Sequence, residues 1–216
     1  MEDSINKPWR AIPSKRLTAK GAKHLLLVSI PVVLLATYFL QAQEEAMALF
    51  ILTWIYNDLG AADEYFFIRN TINSLGFITF SAGTAKITCG YPLHRLNDTF
   101  YQWLALVGAA IGLTIQVQDM EDRKGDELRN RQTMPIVLGE TITRWVNAVF
   151  VMIFSVLMPR FWNLNLRGYI MPACLGAIIA VRTLKWRNVV CDKKTFQLWC
   201  LWLVVIYLLP LVEHRD

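Results

Sequence analysis

The chain has 216 residues, 55% of them hydrophobic, with 8 Trp, 11 Phe and a formal charge of +5. Its apolar residues fall in long blocks instead of at amphipathic intervals, which excludes an ordinary soluble domain and predicts an integral membrane protein. The Lys and Arg stand at the ends of those blocks, so the basic balance belongs to orientation in a lipid bilayer and excludes a nucleic-acid partner.

Residues 1–23 are polar and basic, with Lys7, Arg10, Lys15, Arg16, Lys20 and Lys23. They are expected to form a cytosolic N-terminal segment, followed by a transmembrane helical domain over 24–216. Leu25–Leu40 reads as a signal anchor, kinked at Pro31. Gln41–Glu45 reads as a turn, and Ala46–Tyr56 as a second apolar segment. Asn57, Asp58, Asp63 and Glu64 follow it as a polar cluster. Gly60 predicts a helix break inside that cluster.

A third segment opens at Arg69 with Asn70 and Asn73. Arg and Asn at the start of a membrane helix are costly against lipid, so they are expected to face a polar cavity. Gly76, Ser81, Ala82, Gly83, Thr84 and Ala85 suit close helix packing, and Lys86 is placed to snorkel. Tyr101–Val117 reads as the fourth segment and Met134–Met158 as the fifth, with Pro135 in its first turn. Pro159–Gly168 reads as a loop. Tyr169–Val181 and Phe196–Val212 complete about seven helices, an all-α bundle. The four Cys lack metal-ligand spacing and read as packed or free thiols.

With the N-terminus in the cytosol, the inner segments collect most of the Lys and Arg. Arg95, Arg160, Arg167 and Arg215 fall outside, as the positive-inside rule expects. The same count puts the cluster at 57–64 and the stretch Asp119–Gly139 on the cytosolic face.

That second stretch carries Asp119, Asp122 and Asp126 at spacings of three and four, which return to one face of a helix. Three Asp on one face repel each other unless cations sit among them. Mg²⁺ is the candidate, since it binds through one or two carboxylates plus substrate phosphates. Arg123, Lys124, Arg129 and Arg131 supply donors for phosphate oxygens, as do Arg69, Asn70 and Asn73 from the third segment. A solvated, salt-bridged loop is the competing reading of the same charges.

Two acidic clusters over an aromatic interior match an allylic prenyl diphosphate at both ends. The metal face takes the diphosphate. Trp54, Phe77, Phe80 and Trp103 are candidates to line a prenyl pocket and to stabilise a carbocation by cation–π attraction, against packing and lipid contact as the plainer roles. Asp58, Asp119, Asp122 and Asp126 are the candidate catalytic residues. Those four with Asn57, Asp63 and Glu64 are the candidate metal ligands.

V-Q-D-M-E-D-R-K-G-D-E-L-R-N-R-Q-T-M-P-I-V-L-G resembles the second aspartate-rich motif of the UbiA superfamily of intramembrane prenyltransferases. N-D-L-G-A-A-D-E-Y-F-F-I-R-N resembles a variant of its first. Asp58 fits the opening Asp, while Ala61 and Tyr65 occupy the next two Asp positions and Asp63 and Glu64 fall off register. The short form is similar to UbiA-type terpene cyclases of fungal terpenoid pathways. The resemblance implies Mg²⁺, a farnesyl or geranylgeranyl diphosphate substrate, cyclisation of the cation with release of diphosphate, cytosol-facing chemistry and an endoplasmic-reticulum membrane. Two alternatives remain: transfer of the prenyl group to an aromatic acceptor, and, as a non-enzyme, a divalent-cation transporter with an acidic vestibule. Oligomeric state is left open.

Overall fold

The computed structural model describes residues 7–93 and 95–213. Arg215 and residues 1–6, which entered the expectations for outer charge and for the N-terminal segment, lie outside them. The described elements are all helical: α1 Ala19–Phe39, α2 Gln43–Asn57, α3 Phe66–Cys89, α4 Asp98–Thr114, a 3₁₀ turn Ile115–Gln118, α5 Asp119–Leu128, α6 Met134–Val137, α7 Glu140–Phe161, α8 Leu166–Lys185, α9 Val189–Leu208 and α10 Pro210–Glu213. Among the described residues, four spans are long and apolar enough to cross a membrane: Ala19–Phe39, Asp98–Leu128, Glu140–Phe161 and Leu166–Lys185. With 15 residues, α2 rises about 22 Å, short of a hydrocarbon core of about 30 Å.

Local chemistry sets the helix ends, and several differ from the sequence reading. Thr18 caps α1 by accepting from the Gly21 N–H at 3.0 Å, so the helix begins before Lys20 and Lys23. The expected turn at Gln41–Glu45 is tighter. Gln41 takes the left-handed conformation (φ 58°), and Glu44 and Glu45 already lie in the first turn of α2, where carboxylates favour the helix dipole. Gly60, at φ 79°, allows the chain to reverse between α2 and α3. The fifth segment divides. Pro135 sits at the start of the short α6, and Gly139 at φ 86° separates it from α7. Pro159 does not open a loop, because the last turn of α7 absorbs it and runs on to Phe161. Asn165 and Asn188 cap α8 and α9 through their side-chain oxygens.

The chain forms two compact units. One takes the residues up to Gly108 with Glu127–Arg131; the other takes Ala109–Asp126 with the residues from Gln132 on. In the first unit α2 and α3 pair. Lys86 near the end of α3 does not snorkel. Its Nζ meets Glu45 Oε1 at 2.6 Å and Glu44 Oε2 at 3.3 Å, both from the start of α2. Gly83 makes the close approach possible, since a Cβ there would come within 3.2 Å of the Glu45 Cβ. Ser74 ties α3 to α4 by donating to the Gly108 carbonyl at 2.6 Å.

The second unit packs α7, α8 and α9 together with the 3₁₀ turn. Its core includes Ile111, Met158, Ile179, Trp202 and Ile206, all with no exposed surface. Two indoles of α9 reach across it. Trp199 donates to Thr114 Oγ1 and Trp202 to Ser155 Oγ, each at 2.9 Å. Both pairs are buried, so each indole N–H meets its requirement for a partner.

Candidate functional site

The second motif starts where the chain changes pitch. Thr114 ends α4, donating to the Ala110 carbonyl (2.6 Å) and accepting from Trp199. Gln116, 1% exposed, turns its amide N–H to the Leu113 carbonyl at 2.6 Å. Buried Asn147 of α7 faces the turn. Oriented as its neighbours demand, it accepts from the Val117 N–H at 3.2 Å and donates to the Thr114 carbonyl at 3.0 Å. These polar contacts hold the 3₁₀ turn, and the turn sets the rotational phase of α5.

On α5 the three Asp behave as their spacing predicts. Asp126 stands seven residues after Asp119, about 20° short of two full turns, with Asp122 beside them. Asp119 and Asp126 are buried, at 1% and 0% exposure, and Asp122 is half-buried. Arg123 and Lys124 are exposed; Arg123, four residues after Asp119, stands on the same side of the helix, while Lys124 turns further round. Arg123 Nη1 lies 3.4 Å from Glu140 Oε2 of α7.

The tail of the motif belongs to the first unit and meets the first cluster there. Arg129 Nε lies 2.8 Å from Asp63 Oδ1, and its Nη2 donates to Oδ2 at 3.1 Å. Arg131 Nε donates to Asp63 Oδ1 at 3.1 Å. One carboxylate from the first motif thus holds two cations from the second. Asp58, at the C-cap of α2, and Glu64 are exposed, while Arg69 and Asn70 are buried at 5% each.

A cavity of about 340 Å³ opens between α2 and α3, with Asn57, Asn73, Tyr56, Leu49, Phe77 and Phe80 among its lining. It has a polar end and an apolar body. Asn57 is turned back on its own helix, donating to the Thr53 carbonyl at 3.0 Å. Asn73 Nδ2 is buried and makes no hydrogen bond among the described residues. Leu49 and Phe80 also border a second apolar cavity of about 260 Å³, which extends toward Glu45 and Ile87. Trp54 is 56% exposed and does not line either cavity, and Trp103 is buried at 4% on α4. The structure therefore gathers Asn57, Asn73, Phe77 and Phe80, and joins Asp63 to Arg129 and Arg131.

Among the described residues no three of His, Cys, Asp or Glu stand close enough to enclose a metal ion by themselves. The donor chemistry nevertheless suits Mg²⁺, which takes one or two carboxylates and completes its shell with water and phosphate oxygens. Three Asp on one helix face, two of them buried, offer hard oxygen donors of that kind.

Three residues of this region escape the motif reading: Glu140, Arg144 and Asp192. Glu140 and Arg144 carried a local signal, an acid and a base four apart at a helix start. Asp192 stands among Arg182, Lys185, Arg187, Lys193 and Lys194, the one acid in that run of bases.

The UbiA prenyltransferase family matches residues 1–206. The chain belongs to that family. Its apolar helices and this membership make it an integral membrane protein. It is 28% identical over 204 residues to a diterpene cyclase of Hericium erinaceus, covering 92% of this chain and 63% of that protein. It is 28% identical over 163 residues to the fumagillin beta-trans-bergamotene synthase of Aspergillus fumigatus, covering 75% and 55%. A polyprenyl transferase of Hericium erinaceus is 30% identical over 206 residues, covering 92% and 67%. The chain thus spans between about half and two thirds of the length of these relatives. No solved structure matches it.

Proposed function

We propose that this UbiA-family chain is a Mg²⁺-dependent membrane terpene cyclase that ionises farnesyl or geranylgeranyl diphosphate and closes the carbocation on itself, releasing diphosphate. The observation that carries this reading is the helix Asp119–Leu128, which presents Asp119, Asp122 and Asp126 on one face with two of them buried. The relatives named as a diterpene cyclase and a bergamotene synthase support it.

Asp119, Asp122 and Asp126 would hold Mg²⁺, and Asn57 and Asp58 are the first motif's own candidate ligands. Bound there, the ion neutralises the diphosphate and makes it a better leaving group. Arg123 and Lys124, exposed beside the Asp face, supply donors to diphosphate oxygens as charge builds on them. Arg129 and Arg131 keep Asp63 of the first motif engaged. The prenyl chain takes the cavity between α2 and α3, where Asn73 has a free N–H for a polar group at its head. Phe77 and Phe80, in the lining of that cavity, would supply aromatic surface to stabilise the developing cation. All seven main helices lie in the bilayer, the basic segment at 1–23 is cytosolic, and the membrane is that of the endoplasmic reticulum.

Incubating membranes that contain the protein with Mg²⁺ and prenyl diphosphates of different length tests the reading. A cyclic hydrocarbon or alcohol formed without any acceptor supports it. The second reading is transfer to an aromatic acceptor, favoured by the 30% identity to a polyprenyl transferase. Turnover that strictly requires an acceptor would replace the first reading with the second.

A further inference from the structure

Beside the second motif lies a charged network that the proposed reaction does not use. Arg144, in the second turn of α7, is 1% exposed. Its Nε donates to Glu140 Oε1, its Nη1 to the Thr183 carbonyl and to Asp192 Oδ1, and its Nη2 to Asp192 Oδ2, all at 2.8 Å. Four of the five guanidinium donors are thus engaged, two of them in a fork on one carboxylate. Asp192, in the first turn of α9, is itself buried at 4%.

Charge accounting makes Glu140 the informative member. Arg144 and Asp192 already cancel, so Glu140 is not needed to neutralise the buried cation. One of its oxygens is pinned by Arg144, and the other faces Arg123 Nη1 at 3.4 Å. A series of contacts therefore runs from α9 through α7 to the motif helix: Asp192, Arg144, Glu140, Arg123. The last link is open to water, with the side chains of Arg123 and Glu140 44% and 31% exposed. Such a pair adds little to stability. The buried Arg144–Asp192 pair gains little net stability either, since desolvation offsets its attraction, but it fixes where a charge stands. Long side chains such as Arg123 lose much rotamer freedom when they engage a ligand, and an anchored partner reduces that loss.

We infer that Glu140 is a positioning residue, held by Arg144 and Asp192, that orients the Arg123 guanidinium toward diphosphate oxygens. The inference rests on the proposed diphosphate chemistry. It predicts that Glu140 acts through Arg123 and has little effect once Arg123 is gone.

The test is a double-mutant cycle on the full chain in detergent. Binding of inorganic diphosphate with Mg²⁺ is measured by calorimetry, and KM and kcat for the prenyl diphosphate are measured beside it. Glu140→Gln keeps size and removes charge at a half-exposed position, so folding should survive. It is expected to weaken inorganic diphosphate about tenfold and raise KM by a similar factor with little change in kcat. Arg123→Ala should do the same, and the double variant should bind no more weakly than Arg123→Ala alone. Glu140→Asp should recover part of the loss. Independent, multiplying effects, or unchanged binding in Glu140→Gln, would overturn the inference. Wild-type protein that binds inorganic diphosphate in this Glu140-dependent way yet turns over no prenyl diphosphate would sink the proposed reaction and leave the positioning role standing.

Discussion

The contact between α7 and α8 is tight enough to give a quantitative prediction. At Gly176, an added Cβ would collide with Ser155 Oγ and come within 3.1 Å of Ser155 Cβ. The hydroxyl has nowhere neutral to go. It is buried, donates to the Val151 carbonyl at 2.7 Å and accepts from the Trp202 indole at 2.9 Å. Gly176→Ala must therefore displace it, combining overpacking of about 1–3 kcal/mol with about 1–2 kcal/mol for a buried indole left without its acceptor. The expected loss is about 2–5 kcal/mol, read as a lower denaturation midpoint in detergent. Removing the hydroxyl should relieve the clash, so Ser155→Ala/Gly176→Ala is expected to be more stable than Gly176→Ala alone. Gly76→Ala on α3 is the control, because among the described residues nothing lies within 4 Å of a Cβ there. It should be neutral or stabilising by up to about 1 kcal/mol. Equal midpoints for Gly176→Ala and Gly76→Ala would refute the packing described for this unit.

Other tests address the reaction and the buried ion pair. Asp119→Ala, Asp122→Ala or Asp126→Ala should each lower turnover by about 10³-fold or more, and full activity in any two would remove their role as ligands. Chelation should abolish product formation and added Mg²⁺ should restore it; turnover that persists in excess chelator would contradict the metal requirement. Phe77→Leu and Phe80→Leu should alter the product mixture seen by mass spectrometry more than the total rate, and an unchanged mixture in both would dismiss the α2–α3 cavity as the prenyl site. Arg144→Met leaves Asp192 buried without its fork and should cost about 3–5 kcal/mol. Arg144→Met/Asp192→Leu should restore most of that stability, and failure to do so would mean that packing, not charge, dominates there.

Some of this molecule could be read from residue order, and the boundary of legibility has physical causes. Asp119, Asp122 and Asp126 were readable because helical spacing is local, and the helix Asp119–Leu128 carries them as expected. Gly60 was readable because a left-handed turn favours glycine. Pro159 misled because proline is tolerated where a helix is already ending, and here the last turn holds it. Lys86 misled because a lone lysine near a helix end usually reaches for water. Its actual partners, Glu44 and Glu45, come from a helix more than forty residues earlier. The joining of Asp63 to Arg129 and Arg131 was equally out of reach, since long-range pairing leaves no periodic trace. The aromatic lining was only half legible: Phe77 and Phe80 reach the cavity, while Trp54 is exposed and Trp103 is buried outside that lining.

Helix α1 contributes no buried residue, and Leu25, Leu26, Leu27, Val28, Val32 and Leu35 all stand exposed. One side of this segment, at Val33 and Thr37, meets α2, and the rest is so greasy that its natural solvent is acyl chain. Its side-chain order should therefore matter far less than its oiliness: shuffling those leucines and valines should be tolerated, whereas a single aspartate among them should eject the helix from the hydrocarbon.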